Sequence, residues 1–233
     1  MSDRRRFPAA NTSAYAGYDL AVALERIAAQ GYRRVEIAAM VGIAEHLTQE
    51  QLTMREAVRV RGLLRQNGLE NVAFSAHLHL HRADAVKLFL PRLDFAGEIG
   101  ASIVNTKAGP PSDADAFRRN MEALVRHAEK IGITIGLETH GDIVTHGRAA
   151  VEAVRSLASP HVILNYDFGN VFVNSSAGVD PAADYELIRD EVGHLHLKDV
   201  VERDGLWQMC AVGAGSIDYV RVLEIVRRMP CPP

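Results

Sequence analysis

The chain has 233 residues, 25.5 kDa, 48% apolar and 24% charged side chains and a formal net charge of −3, which suits one core of the size at which single-domain α/β barrels occur. This balance excludes a disordered chain and leaves no basic excess for nucleic-acid binding by counterion release. No stretch approaches the roughly 18 uninterrupted apolar residues of a spanning helix, and Cys210 and Cys231 are too few for a disulfide framework.

The N-terminal Asp3-Arg4-Arg5-Arg6-Phe7 looks like a twin-arginine export signal. Pro8-Ala9-Ala10-Asn11-Thr12-Ser13 stands where such a signal requires an apolar run, so a cytoplasmic protein with a basic edge is expected. A first, weakly patterned strand is predicted over Arg6–Ala10, followed by a helical pattern over Leu20–Ala28 and a strand at Arg34–Ala38. Further strands are predicted at Val72–His77, Ser102–Thr106, Ile133–Glu138, Val162–Asp167 and Gly193–Leu197, with a helix around Phe117–Val125 and a last one from near Ile217 to near Met229. Gly31, Gly68, Gly100 and Gly132 each fall between a helical pattern and a strand, where a left-handed cap is expected. Asp113-Ala114-Asp115 reads as a helix N-terminus. Gly213-Ala214-Gly215-Ser216 reads either as a helix entry capped by Ser216 or as amides offered to a phosphate or sugar hydroxyl.

Strict alternation of β and α units predicts a parallel sheet with helical crossovers. No glycine-rich phosphate loop follows the first strand, which argues against a nucleotide-binding sheet. The count is seven βα units, so the expected fold is a single-domain (β/α)8 TIM-type barrel over residues 1–233 that lacks its C-terminal βα unit.

A parallel strand covered on both faces should be apolar nearly throughout, yet Glu138, Asp167 and His196 each close a strand. They stand 29 residues apart and then 29 again, about one βα repeat per step, which predicts equivalent heights on three consecutive strands. Side chains alternate along a strand, so Leu137, Tyr166 and Leu195 face the helices while the three ionisable groups point into the barrel mouth, with His194 one layer deeper. Burying two carboxylates and an imidazole together is costly unless a cation compensates them. An oxygen-rich set with one imidazole suits Mn²⁺, Mg²⁺ or Co²⁺ better than Zn²⁺.

Three segments carry a resemblance: Leu137-Glu138-Thr139-His140-Gly141, Asn165-Tyr166-Asp167-Phe168-Gly169-Asn170, and His194-Leu195-His196-Leu197-Lys198-Asp199 followed by Val212 to Asp218. In this order they resemble the xylose-isomerase-like barrels, a family of sugar phosphate isomerases and epimerases, ketose 3-epimerases, inosose dehydratases and the endonuclease IV branch. The likeness spans about residues 17–225. It implies that Glu138, Asp167 and His196 are metal ligands, with Glu138 also the catalytic acid/base, and that Asn170 and Lys198 contact substrate. The family's further ligand and second acid/base is a Glu ending the eighth strand, which this sequence does not reach; Glu224, in the last predicted helix, lies outside the barrel.

Among secondary candidates, His77 and His79 share inward parity in the alternating run His77, His79, His81, and His77 is expected near a sugar hydroxyl or behind the metal ligands. Glu36, late in strand two, is expected either to orient other site groups or to pair with an arginine. Only four lysines occur against 22 arginines, and two of them, Lys107 and Lys198, lie at strand ends, as anion or carbonyl recognition requires. A Schiff-base lysine is the alternative, which leaves the three ligand-type residues without a purpose. His140 has the parity of Glu138 and is expected among the substrate-binding residues, and Trp207 is placed in the loop after strand seven, either as an apolar wall over the site or packed on the surface.

The function expected is metal-dependent isomerisation or epimerisation of a small sugar, sugar phosphate or polyol through an enediolate, within carbohydrate metabolism. A metal-dependent dehydratase or lyase on a cyclic polyol, or a non-catalytic sugar-binding barrel, is the alternative. Expected partners are a sugar-like small molecule and a second copy of the chain across the open edges of strands one and seven, with no nucleic acid and no membrane.

Overall fold

The computed structural model describes residues 8–175 and 178–229, so the basic Arg4-Arg5-Arg6, Phe7 and Cys231 lie outside the described residues. The first half alternates β1 (Ala10–Asn11), α1 (Leu20–Ala29), β2 (Arg34–Met40) with a short antiparallel partner β3 (Ala44–Glu45), α2 (Met54–Gln66), β4 (Glu70–His79) and α3 (Ala85–Glu98). It continues through β5 (Ile103–Lys107), α4 (Ala114–Ile131), β6 (Thr134–Glu138), α5 (Gly147–Arg155), β7 (Val162–Asp167), α6 (Phe168–Asn174) and α7 (Pro181–Ile188). The chain closes on β8 (Val192–His196), the hairpin β9 (Asp199–Arg203) and β10 (Leu206–Cys210), and α8 (Tyr219–Arg228).

Seven strands pair in parallel in the order β1-β2-β4-β5-β6-β7-β8. Although β2 and β8 stand at nearly opposite ends of this order, Glu36 on β2 and His196 on β8 meet at 3.1 Å, so the sheet is curled into a barrel. Among the described residues no strand joins β8 to β1. Helices cover the outside through stripes at helical spacing: Leu20, Ala23, Leu24 and Ile27 on α1, Phe117, Met121, Leu124 and Ala128 on α4, and Tyr219, Val222 and Ile225 on α8. Each large side chain so buried contributes about 1.5–3 kcal/mol.

The parity expected of the strand ends holds. Leu137 is buried in the shell between sheet and helices, and Tyr166 donates its hydroxyl to Asp184 of α7 at 2.8 Å within a cluster with Phe168 and Tyr185. The four expected helix-ending glycines all adopt positive φ, and Gly132 continues the α4 ladder by donating to Ala128. No helix among the described residues is long and apolar enough to cross a membrane.

Three local expectations are corrected. Among the described residues the first strand is Ala10–Asn11, so of the expected Arg6–Ala10 only Ala10 lies in it, Pro8 and Ala9 do not, and Arg6 and Phe7 lie outside the described residues; Asn11 reaches the sheet's interior, with its amide donating to Ser75. Trp207 lies in β10, not in a loop; every residue of that strand except Cys210 is exposed, so no burial pattern announced it. The cap of α8 is Asp218, whose carboxylate accepts the amide of Arg221, and not Ser216.

Candidate metal centre at the barrel mouth

Glu138, Asp167 and His196 converge from the carboxyl ends of β6, β7 and β8, each offering a ligand atom within 4.8 Å of the others. Their equal spacing does not give equal heights, as expected from sequence. Asp167 and His196 are paired in register, but Glu138 is paired with Asn165, because neighbouring strands of a barrel are staggered. Convergence survives because the longer Glu138 side chain covers the offset. His196 Nδ1 lies 2.6 Å from Glu138 Oε1 and 3.8 Å from Asp167 Oδ2.

The other nitrogen of His196 faces Glu36, at 3.1 and 3.2 Å from its two oxygens, and His194 Nε2 lies 3.1 Å from Glu36 Oε2. Glu36 also accepts from Asn105 at 2.9 Å and, over a short contact, from Ser75. Of the two readings of Glu36, orientation of site groups is the one the geometry bears out; no arginine pairs with it among the described residues. Glu36, His194 and His196 form a second group with metal-ligand spacing. Burial alone would push His196 down, and the charge of Glu36 with the bonds to Glu138 and Glu36 outweighs it, so its pKa stands well above 6.5. Burial likewise opposes the charged forms of Glu36 and Glu138, and the surrounding imidazoles outweigh it, holding both well below 4.5.

Asn170, three residues past Asp167, sits on the first turn of α6, where Asp167 itself is the cap and accepts the Asn170 amide at 2.7 Å. Its side chain donates to Glu138 Oε2 at 3.0 Å and lies 2.8 Å from His140 Nδ1, while its carbonyl accepts from Lys198 at 2.6 Å. Lys198 also reaches Asp167 Oδ2 at 2.9 Å; burial opposes its charge, and the Asp167 and Glu138 carboxylates outweigh it and raise its pKa. His140 Nδ1 is 3.3 Å from Glu138 Oε2. His77 Nε2 is 4.0 Å from Glu138 Oε1 and has no hydrogen-bond partner; burial pushes its pKa down to about 4, so the ring is neutral. Lys107 closes β5 at the rim, makes no side-chain hydrogen bond or ion pair among the described residues, and adds its charge to the burial that keeps His77 neutral.

A family model described as xylose isomerase-like TIM barrel matches residues 24–231. The chain belongs to the xylose isomerase-like TIM barrel family. Solved structures with this fold include a probable 3-DHS dehydratase, AsbF, from Bacillus anthracis (17% identity, TM-score 0.74, covering 96% of this chain and 90% of that one). A xylose isomerase-like TIM barrel protein from Mycobacterium smegmatis in complex with magnesium aligns at 18% identity and TM-score 0.73, over 97% and 89% of the two chains. A 3-keto-D-glucoside 4-epimerase from E. coli aligns at 16% identity and TM-score 0.71, over 94% and 86%. No curated protein matches the chain by sequence.

Two features of this xylose isomerase-like barrel escaped the sequence reading. The first is the pair Asn105 and Asn165, fully buried in β5 and β7, whose amide groups lie 3.5 Å from His196 Nε2 and 3.3 Å from its Nδ1 respectively. The signal was the one that revealed Glu138: a polar residue in a strand covered on both faces. The second is Asp199, which accepts the amides of Val200, Gly213, Gly215 and Ile217 at 2.9 to 3.2 Å. The glycine turn therefore spends its amides on Asp199, and the expectation of a phosphate or sugar hydroxyl there is replaced by a structural knot. A Cβ on Gly215 would stand 2.3 Å from Asp199 Oδ1, so only glycine lets the turn close on that carboxylate.

Proposed function

We propose that this protein is a metal-dependent isomerase or epimerase acting by proton transfer on a small sugar-like substrate. The observation that carries the reading is the convergence of Glu138, Asp167 and His196 ligand atoms within 4.8 Å at the carboxyl ends of three barrel strands. The donor set, two carboxylates and an imidazole, fits a divalent cation of the Mg²⁺, Mn²⁺ or Co²⁺ type better than Zn²⁺, and solved relatives with bound magnesium and with bound zinc support a divalent metal at this place in the fold. Such a cation supplies Lewis-acid polarisation of adjacent carbonyl and hydroxyl oxygens, which acidifies the C–H between them.

The chain's own residues divide the remaining work. Glu138, ionised and facing the mouth, takes the proton. His140, 3.3 Å from it and partly exposed, is the neighbouring imidazole through which that proton passes to and from solvent or a second carbon. Both carriers come from the end of β6, an arrangement that supports transfer on one face of the substrate. Asn170 holds Glu138 and Lys198 in fixed relation, and His77, a neutral imidazole with an unpartnered nitrogen, is placed to bond a substrate oxygen.

The deciding experiment follows solvent deuterium incorporation by NMR into a panel of aldoses and ketoses with Mn²⁺- or Mg²⁺-loaded protein. Exchange into at least one member, abolished by Glu138→Gln, is expected. Binding of sugars without exchange into any of them would replace this reading with the non-catalytic one.

A further inference from the structure

Lys107 closes β5 at the rim of the mouth, and it differs from the other three lysines. Lys198 is bound to Asp167 and Asn170, while Lys87 and Lys130 lie on the outer helices α3 and α4. Half-buried, Lys107 has no carboxylate within 4.0 Å among the described residues. Its surroundings are imidazoles. His79 of β4 stands opposite it in register, His81 packs edge-on against His79 with ring centroids 5.6 Å apart, and His77 lies two residues deeper along β4.

The nearby acid, Asp142, is tied to the backbone: its two oxygens accept the amides of Gly109 and Val144 at 2.9 Å each, and it makes no ion pair with Lys107 within 4.0 Å. Gly109 has φ +127°, and a Cβ there would meet His81 Nδ1 at 2.1 Å. The loop after β5 thus passes directly over the His81 ring, whose Nδ1 is buried without a partner. The rim beside Lys107 therefore carries one ammonium with no carboxylate within 4.0 Å among the described residues, flanked by imidazoles that the loop after β5 packs against.

We propose that Lys107, with His79 beside it, forms a subsite for a phosphate or carboxylate carried at one end of the substrate. The subsite rests on the reading of the Glu138–Asp167–His196 group as the reaction centre, which fixes where the substrate's other end lies. His77 and His79 are two residues apart on one strand, so the subsite stands about 7 Å further out than the imidazole beside Glu138, a span that a short polyol chain bridges. An acidic sugar derivative, and not a neutral sugar, is the substrate class this rim recognises.

The test uses the full-length, Mn²⁺-loaded protein and calorimetric titration with matched pairs: D-ribulose against D-ribulose 5-phosphate, D-xylose against D-xylonate, and inorganic phosphate alone. At least one charged member is expected to bind tenfold or more tightly than its neutral partner, and the phosphate and carboxylate arms decide which anion the subsite takes. Lys107→Met is expected to abolish the preference with Mn²⁺ binding and thermal midpoint retained, while Lys107→Arg keeps it and Lys87→Met leaves it unchanged. Equal binding of charged and neutral members, no binding of any charged member, or a preference that survives Lys107→Met would overturn the subsite. If the preference stands while wild-type protein gives no deuterium exchange, the reaction assignment fails and the subsite does not.

Discussion

Glu36 and His196 come from strands at nearly opposite ends of the sheet and meet at 3.1 Å, so one hydrogen bond spans the barrel and sets the imidazole's orientation. With Nε2 committed to Glu36, Nδ1 is the nitrogen presented to Glu138 and Asp167. Carboxylates behind a ligating imidazole fix its tautomer, and their loss weakens metal binding about 10–100-fold. Glu36→Gln is therefore expected to weaken Mn²⁺ binding by that factor with the fold intact, measured by titration of apoprotein; unchanged affinity would detach Glu36 from the site.

The same contacts set a pH dependence. His196 is held charged by Glu36 and Glu138, with its pKa well above 6.5, whereas a metal ligand must be a neutral imidazole. Below that raised pKa, metal binding must expel a proton, so affinity is expected to rise about tenfold per pH unit and to level off above it. In the metal-free protein the sign is opposite: the charged His196 contributes stability that is complete below about 6.5 and is lost as pH rises through the raised value. Calorimetry at pH 7 in two buffers of different ionisation enthalpy checks this, with close to one proton released per metal expected.

Asp199 holds four backbone amides in one buried carboxylate. Hydrogen bonds to a charged group are worth about 1.5–3 kcal/mol each, and they act here as one unit. Asp199→Ala is expected to lose about 3 kcal/mol or more, and Asp199→Asn less, by chemical denaturation. Protease cleavage near Gly213 should appear first in the alanine variant.

Gly136 in β6 leaves room for Asn105, whose Oδ1 would stand 2.1 Å from a Cβ at that position. Asn105 donates to Glu36, so Gly136→Ala disturbs the support of His196 from two strands away. The expected cost is about 1–3 kcal/mol in stability, together with weaker metal binding, whereas Gly62→Ala on α2, where a Cβ meets nothing within 4 Å, should leave metal binding unchanged.

Much of this site is legible in the sequence because a parallel strand has no apolar reason to end in Glu, Asp or His. That rule and the 29-residue spacing brought Glu138, Asp167 and His196 together and placed Tyr166 and Leu137 on the helix side. The rule extends equally to Asn105, Asn165 and Ser75, but these lie earlier in their strands and are uncharged, so a single hydrogen bond across the sheet accounts for each as well as a site does. Stagger between strands was not legible, since the offset of Glu138 against Asp167 arises from how the sheet closes and not from any local residue. Nor was the hairpin β9–β10: its apolar Leu206, Trp207 and Met209 face solvent, so alternation there marks no buried face.

The mouth has two unlike walls. On one side, Asp142 laces the loop after β6 to the loop after β5, and Ile143 adds a bond to Gly109, so Lys107, His81 and His140 belong to a single stitched rim. On the other, the hairpin stands on the Asp199 knot and touches the body through the edge-on contact of Trp207 with Phe172. Substitution on the hairpin, at Leu206 or Met209, is therefore felt by that hairpin alone, whereas a substitution at Asp142 or Gly109 is felt by two loops at once.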